Sequence, residues 1–374
     1  MKIAIVHDYL NQMGGAERVL EVLHDLLGRP PVFTSVHDSA RMPERFRDWD
    51  IRTSFLQRLP AARRHPGYYL PLFPTSFELF DFSGFDLVVS ISSAWAKSVV
   101  TGPETFHLSM VLTPMRFAWS FDRSVRTSVA RPLRAVLPFC LTWLRAWDAA
   151  SASRPDRLIA ISRTVADRVK KFWGRDAQVL HPPVDTSNFR PEGAPGEHYL
   201  VVSRLRDYKR IDLAVQAFTR AGLPLRVVGD GEDRRRLERM AGPTVEFVGR
   251  VGEEDLVREY RSCRALVLPG EEDFGLAPLE AQACGRPVLA YAAGGALETV
   301  IPEGPSDTPT GCFFREPTVG SLLEGLARIG RTRFDPERIR AHALEFDVAR
   351  FRERFRSLLD RSLLERRAGL GVGS

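Results

Sequence analysis

The stretch Ala265–Val300, ALVLPGEEDFGLAPLEAQACGRPVLAYAAGGALETV, decides the fold of this chain. It opens with the apolar run Ala265–Pro269, which is long enough for a buried strand. The acidic loop Gly270–Ala277 follows, and a helix is predicted over Pro278–Cys284, because proline suits the first helical turn. A Gly-Arg-Pro sequence ends this helix, and Val288–Ala290 is a second buried run. The order strand, loop, helix, strand predicts a parallel sheet.

Two carboxylates, Glu272 and Glu280, frame this loop. Between them, Phe274–Ala277 would present backbone N–H groups at a helix N-terminus, which suits a phosphate. In parallel sheets ligands bind outside the carboxyl ends of the strands, where this loop lies. Two interpretations stay open at this point: a nucleotide-sugar site, or an acidic surface loop with one capping glutamate.

Length and cysteine usage limit the class of protein. The 374 residues predict two domains, and the four cysteines contain no C-x-x-C pair. They therefore indicate neither a disulfide framework nor a zinc site, and a reducing cytoplasm is expected. The N-terminal run Met1–Asp8 is too short and too soon polar for a signal peptide, and no run of 18 apolar residues is present.

Positive charge is concentrated in the first half. Residues 1–190 contain 25 Lys and Arg against 18 Asp and Glu, which predicts an anionic partner for this half; no nucleic-acid partner is expected. Segment 123–147 mixes arginines with apolar residues at helical spacing, so it is either an interfacial helix on an anionic membrane or a core helix with solvated arginines. Segment 55–74 is a mobile loop, a membrane-touching segment or an ordinary packed surface excursion.

Each half begins with a strand, a polar loop and a helix. In the first half Gly14 and Gly15 follow the first strand, and they either allow close approach of a phosphate or form a plain turn. In the second half Arg204 and Lys209 lie in the first strand-to-helix loop, where they could neutralise a diphosphate. We expect domains at 1–190 and 198–345, a Pro/Gly-rich linker at 191–197, and a helical tail, 346–374, that crosses back to the first domain.

Six strings in order carry a family resemblance: HDYLNQMGGAER, FDLVVSISSAWAK, TPMRFAW, HPPVDTSNF, VSRLRDYKRID and EEDFGLAPLEAQACGRPV. Together they resemble the retaining glycosyltransferases of family 4, and within it the bacterial mannosyltransferases of O-antigen and exopolysaccharide assembly. The resemblance implies an α/β fold of the GT-B class, with two Rossmann-like domains facing across a cleft. It also implies a cytoplasmic enzyme, peripheral on the inner face of the membrane, that transfers mannose from GDP-mannose to a lipid-linked saccharide.

The resemblance assigns roles to particular residues. Catalysis would rest on Arg204 and Lys209, which hold the donor diphosphate, and on Glu272, which contacts the donor sugar. Glu280 would bind the ribose, and Met115 and Arg116 would lie on the acceptor side. No metal and no cofactor besides the donor are expected, because no Asp-x-Asp sequence stands where it would hold a metal. The remaining donor-binding residues would be Gly14, Gly15, Val248, Gly249, Arg250, Phe274, Gly275 and Leu276.

One position departs from the family. Relatives carry a histidine immediately before the Thr-Pro-Met-Arg string, where this chain has Leu112. His107 lies five residues earlier and is out of register. This departure keeps a second hypothesis open, namely a weak or inactive protein that binds nucleotide sugar. A third hypothesis is another sugar-nucleotide enzyme, such as an epimerase, although the glutamate pair argues against it.

Overall fold

The structure is a computed structural model that describes residues 1–119, 136–304 and 308–369. The chain divides into two compact units. The first unit contains residues 1–182 and 351–374, and the second contains residues 183–350. The division therefore falls between Pro182 and Pro183, before the expected boundary at residue 190.

The first unit is built on a sheet of seven parallel strands in the order β3-β2-β1-β4-β5-β6-β7. Every residue of β4 and β5 is buried, as expected where both faces of a parallel sheet are covered. The strands are β1 Ile3–His7, β2 Val32–Thr34, β3 Ile51–Thr53, β4 Leu87–Ser92, β5 Phe106–Val111, β6 Arg157–Ala160 and β7 Gln178–Val179.

Five described helices surround this sheet: α1 Gly15–Leu26, α2 Phe73–Glu78, α3 Arg116–Trp119, α4 Leu137–Ser151 and α5 Arg163–Trp173. The hydroxyl of Ser162 caps α5 by accepting from the N–H of Val165 at 3.1 Å. Segment 55–74 folds into 3-10 turns, and Leu56, Ala62 and Phe73 join the core, which favours the packed-excursion interpretation. Residues 120–135, the first part of the proposed interfacial helix, lie outside the described residues.

The second unit contains a six-stranded parallel sheet in the order β10-β9-β8-β11-β12-β13. Its strands are β8 Tyr199–Val202, β9 Leu225–Val228, β10 Val245–Gly249, β11 Ala265–Leu268, β12 Val288–Tyr291 and β13 Gly311–Phe314. The helices are α6 Ile211–Ala221, α7 Arg234–Met240, α8 Glu253–Ser262, α9 Leu276–Ala283, α10 Ala296–Thr299, α11 Val319–Arg331 and α12 Pro336–Leu344. The predicted strand, loop, helix and strand of residues 265–290 are thereby confirmed as β11, α9 and β12.

The segment expected as a linker, 191–197, lies wholly within the second unit. Gly196 donates its N–H to the carbonyl of Ser262 at 2.7 Å, and the guanidinium of Arg286 donates to the carbonyl of Gly193 at 3.4 Å. These bonds hold a sequence rich in proline and glycine against the domain. Composition alone suggested a flexible connection because it does not reveal such partners.

The last helix, α13 Val348–Arg367, joins the two parts of the chain. Residues from Phe351 onward belong to the first unit. There Arg157 bonds to Glu365, and Arg366 donates to the carbonyl of Pro103 at 2.8 Å. Most of α13 is thus part of the first unit, together with residues 1–182. Among helices in the described parts of the chain, none is both long and apolar enough to cross a membrane.

Candidate active site

Two loops of the second unit meet at the carboxyl edge of its sheet. β8 and β11 are neighbours, and the strand order reverses between them. The loop after β8 leads to α6, and the loop after β11 leads to α9. Ligands of doubly wound sheets bind at such a reversal. The predicted catalytic residues Arg204, Lys209 and Glu272 all lie in these two loops.

Lys209 and Glu272 form an ion pair between the loops. The ammonium of Lys209 bonds to both carboxylate oxygens of Glu272, and the side chains are only 15 % and 16 % exposed. Lys209 Nζ also lies 5.2 Å from the centre of the Tyr208 ring. Because this pair is largely shielded from water, its charges act more strongly than they would in bulk solvent. The sequence interpretation gave the two residues separate tasks, whereas the structure couples them directly.

Arg204 lies in the same loop as Lys209, and its side chain is exposed. The backbone of this loop is fixed on both sides of it: Leu205 is fully buried, and Ser203 donates its N–H to the carbonyl of Val228 at 3.0 Å. An exposed guanidinium on a fixed loop can reach a phosphate without moving the backbone.

The Gly-x-Gly of the second unit, which does not complete a dinucleotide motif, supports this loop. A Cβ at Gly229 would lie 1.9 Å from the carbonyl oxygen of Ser203, and one at Gly231 would lie 2.2 Å from that of Leu205. Neither contact leaves room for a side chain. The two glycines therefore let the β9 loop pack against the loop that carries Arg204.

A second set of glycines supports Lys209 and Glu272. A Cβ at Gly270 would lie 2.6 Å from the carbonyl oxygen of Lys209, and one at Gly294 would lie 2.3 Å from that of Glu272. A Cβ at Gly295 would lie 2.2 Å from Cα of Phe274, and the N–H of Gly295 donates to the carbonyl of Glu272 at 2.8 Å. Gly294 and Gly295 were not predicted as site residues from the sequence. Their position as a Gly-Gly pair after β12 could have indicated this close approach.

The N-terminus of α9 lies next to this ion pair. Gly275, the N-cap residue of the helix, has no side chain to cap the first turn and a φ of +85°, a conformation that glycine favours. The N–H groups of this turn therefore remain suited to an anion. The helix begins at Leu276, two residues before the predicted start. Phe274 is 2 % exposed, so its side chain anchors the loop in the core while only its backbone remains a candidate for donor contact.

Glu280 is nearly enclosed on α9. It is 4 % exposed, and its Oε2 accepts a hydrogen bond from the Tyr260 hydroxyl at 2.6 Å. The carboxylate thus has a structural partner on α8. The ribose contact stays a prediction.

Three of the residues expected to bind the donor lie at the end of β10, namely Val248, Gly249 and Arg250. The carbonyl of Gly249 accepts from the N–H of Gly229 at 2.7 Å, which places this turn beside the β9 loop. Gly249 has a φ of +85°, and Arg250 is exposed.

In the first unit, Gly14 and Gly15 stand at the start of α1, after β1. Gly14 is the N-cap, its φ of −161° is ordinary extended backbone, and no side chain caps the helix. Asp8 in the same loop was missed by the sequence analysis. Its carboxylate accepts from the N–H groups of Ser93, Ala94, Trp95 and Ala96 at 2.7 to 3.0 Å. A buried acid thereby fixes the neighbouring loop.

The acceptor-side prediction is corrected at one residue. Met115 is fully buried in the core of the first unit, so it is not available to touch an acceptor. Arg116, which follows it at the start of α3, is half-buried and remains a candidate. The Pro-Met-Arg spacing did not reveal this difference because α3 turns only one of the two side chains into the core.

His107 does not replace the histidine that is absent at Leu112. It is fully buried on β5, and its Nε2 is hydrogen-bonded to the hydroxyl of Ser90 at 2.9 Å. Burial lowers the pKa of His107 to about 3, so its ring stays neutral near pH 7. Leu112 itself is half-buried just beyond the end of β5.

Residues 187–345 match the family model described as "Glycosyl transferases group 1". This segment, less than half of the chain, is similar to the group 1 glycosyltransferases. It contains Arg204, Lys209, Glu272, Glu280 and the turn at Gly249. Gly14, Gly15 and Arg116 lie outside the match.

Curated glycosyltransferases are similar to part of this chain, at about a third sequence identity. The GDP-mannose-dependent alpha-mannosyltransferase of Mycolicibacterium smegmatis is 33 % identical over 169 residues, which cover 42 % of this chain and 45 % of that protein. The D-inositol 3-phosphate glycosyltransferase 2 of Catenulispora acidiphila is 32 % identical over 187 residues, which cover 41 % of this chain and 44 % of that protein. The chain thus matches less than half the length of these relatives.

Solved glycosyltransferase structures resemble the whole chain. Sucrose-phosphate synthase of Thermosynechococcus elongatus superposes with a TM-score of 0.74 at 19 % identity, covering 96 % of this chain and 99 % of the other. Anabaena HepE in complex with UDP and glucose superposes with a TM-score of 0.69 at 16 % identity, covering 96 % of this chain and 99 % of the other. Together with the two parallel sheets, these matches confirm the prediction of an α/β, GT-B fold with two Rossmann-like domains.

Proposed function

We propose that the protein is a glycosyltransferase that transfers a hexose from a nucleotide sugar with retention of configuration. The coupled pair Lys209–Glu272, beside the start of α9 with its glycine N-cap, is the observation that carries this proposal. It combines a fixed cation for a diphosphate with a carboxylate that can accept from sugar hydroxyls. Mannose from GDP-mannose is the proposed donor, supported by the named activity of the mycobacterial relative.

In the proposed reaction the bond between the sugar C1 and the diphosphate oxygen breaks, and a bond from C1 to the acceptor oxygen forms on the same face. The leaving phosphate takes the acceptor proton. Lys209, Arg204 and the N–H groups of α9 stabilise the charge that develops on the diphosphate. Both glutamates already have protein partners, Lys209 and Tyr260, which supports binding roles for them. We propose that these charges serve without a metal; the Asp-x-Asp at Asp48 and Asp50 precedes β3, away from the carboxyl ends of the strands.

A binding and turnover screen tests this proposal. GDP-, UDP- and ADP-sugars would each be added to the purified protein, with melting temperature and donor hydrolysis measured together. A ligand at 100 times its dissociation constant stabilises by about 2.7 kcal/mol, so binding is readily visible. We expect a shift and slow hydrolysis with GDP-mannose. Stabilisation by UDP-sugars alone would remove the mannose assignment, and no response to any donor would remove the function.

A second candidate is a nucleotide-sugar-binding protein without transferase activity. The observation that favours it is Leu112, since the buried His107 cannot take the place of the absent histidine. A donor that raises the melting temperature but is neither hydrolysed nor transferred, even with added polyprenyl-linked saccharide, would support this candidate over the first.

We further propose a lipid-linked saccharide acceptor and peripheral contact with the cytoplasmic face of an anionic membrane. On α4 and the residue before it, Val136, Phe139 and Trp143 are 51 %, 76 % and 49 % exposed at helical spacing. Sedimentation with phosphatidylglycerol vesicles, compared with phosphatidylcholine vesicles, tests this contact. Phe139→Ser with Trp143→Ser should abolish sedimentation, while Leu79→Ser, which changes a 69 % exposed side chain elsewhere in the first unit, should not. If the double variant and Leu79→Ser sediment with the vesicles to the same extent, the proposed membrane contact through α4 is contradicted.

A further inference from the structure

A fully buried ion pair lies in the first unit and has no place in the chemistry described above. Lys97 Nζ is 2.6 Å from Asp148 Oδ1, and both side chains are 0 % exposed. Lys97 belongs to the 3-10 turn Ala96–Ser98 after β4, and Asp148 belongs to α4. Burying two charges costs free energy unless their remaining hydrogen-bonding capacity is also satisfied.

Five further contacts surround this pair. Lys97 Nζ donates to the carbonyl of Ala94 at 3.0 Å and lies 5.3 and 5.0 Å from the ring centres of Trp147 and Trp173. Asp148 Oδ2 accepts from two indoles, Trp119 Nε1 at 2.7 Å and Trp173 Nε1 at 2.8 Å. The carboxylate therefore has one oxygen for the lysine and one shared by two tryptophans.

The two tryptophans belong to different elements. Trp173 ends α5, which has eleven residues and its own serine cap. Trp119 is the last described residue of α3. Contacts with α4 and α5 hold this part of the chain in the unit.

Two residues of α3, Ala118 and Trp119, contact the neighbouring helices α4 and α5. The Trp119 indole bonds to Asp148 and stacks on Phe172, with ring centres 4.5 Å apart and planes inclined by 10°. Arg145 of α4 donates to the carbonyl of Ala118 at 2.7 Å. At the other end of the same turn stands Arg116, the half-buried candidate for acceptor contact.

We propose that Trp119 is a positioning residue: its indole N–H, directed by the buried Lys97–Asp148 pair, sets the turn that carries Arg116 towards the acceptor. This inference rests on the proposed glycosyltransferase function. A carboxylate that a lysine holds through one oxygen accepts at its other oxygen from a defined direction, so the bond orients the indole as well as holding it. A purely apolar contact would hold the ring without that direction.

Trp119→Phe and Trp173→Phe form a matched pair for the test. Each removes one indole N–H from the same oxygen of Asp148, keeps an aromatic ring and leaves the other indole bonded. We expect similar losses of melting temperature, since the two bonds are alike in length. Only Trp119→Phe should lower transfer, by about tenfold in kcat/KM for the acceptor, while donor affinity stays unchanged in both.

Amide exchange provides a readout that does not depend on activity. The N–H groups of Ala118 and residue 119 both donate to the carbonyl of Met115 at 3.0 Å. Their exchange should accelerate in Trp119→Phe and stay near wild type in Trp173→Phe. Unchanged exchange in Trp119→Phe, or equal acceleration in both variants, would overturn the positioning role. A wild-type protein that neither binds nor transfers nucleotide sugars would instead refute the proposed function, and amide exchange would still decide this inference.

Discussion

At the residue scale, the principal finding is that Lys209 and Glu272 act as one charged unit. They are 63 positions apart in the sequence and bond directly in the fold. A donor diphosphate would meet an ammonium already oriented by a carboxylate. The cation therefore loses little side-chain freedom when the donor binds, which is the usual advantage of a preorganised site.

Removing either partner should disable the proposed chemistry. Lys209→Ala and Glu272→Ala are each expected to lower kcat by more than about 100-fold, the scale of one transition-state contact. Arg206→Ala is the matched control, because Arg206 is a cation of the same loop that pairs with Glu232 at 2.9 Å. It should keep turnover within a few-fold of wild type. Near-normal turnover in both site variants, measured with a donor that the wild type uses, would refute the site.

His107 predicts a pH dependence of stability. Its pKa falls from 6.5 to about 3 in the folded state because the ring is buried. Between pH 6.5 and about pH 3, this histidine binds more protons in the unfolded chain than in the folded one. The free energy of unfolding therefore falls as the pH drops below 6.5. The free energy of unfolding should change with a slope of about 1.4 kcal/mol per pH unit in this range.

Denaturant unfolding at pH 7, 6 and 5 measures this slope. The slope assigned to His107 should disappear in His107→Gln and persist in His65→Gln, which changes an exposed histidine of the same unit. If the wild type and His107→Gln lose stability in parallel, His107 does not cause the dependence.

At the element scale, glycines determine how closely the loops of the second unit approach. Gly229, Gly231, Gly270, Gly294 and Gly295 each face a backbone atom at a distance that a Cβ cannot share. These contacts stack the loops after β9, β11 and β12 on the loop that carries Arg204 and Lys209, or on one another. The site is therefore shaped by backbone packing as much as by its charged side chains.

Gly295→Ala tests this packing without backbone strain, because Gly295 has a φ of −64°. The added Cβ would displace the backbone of Phe274, and we expect a loss of stability of about 1 to 3 kcal/mol and at least tenfold lower kcat. Gly320→Ala is the control. Gly320 lies in α11 with open space around its Cβ position, so alanine should stabilise by about 0.5 to 1 kcal/mol. Wild-type kcat in Gly295→Ala would show that the loop does not depend on this contact.

At the scale of the whole molecule, the last helix connects the end of the chain to its beginning. α13 buries Phe351, Phe355, Leu358 and Leu359, and residues from 351 onward group with the first unit. The first unit is therefore incomplete until the chain has been synthesised through the second unit and α13.

Two substitutions on α13 measure this contribution. Phe355→Ala, at 0 % exposure, should lower the free energy of unfolding by about 3 to 5 kcal/mol, because it leaves a cavity. Leu364→Ala, at 63 % exposure on the same helix, should change it by less than about 0.5 kcal/mol. Equal effects, measured by denaturant unfolding, would mean that the helix does not pack as described.

Much of this protein could be predicted from its sequence, since strand runs, turn residues and helix caps are local signals. The elements around residues 265–290 followed from them, whereas the GT-B fold was implied by the family resemblance of six sequence strings. Only the tertiary structure decided that Lys209 bonds to Glu272, that Tyr260 holds Glu280, that Met115 is buried and that segment 191–197 is bound to its domain. Each of these depends on strand order and on contacts between residues far apart in sequence, which no local pattern specifies.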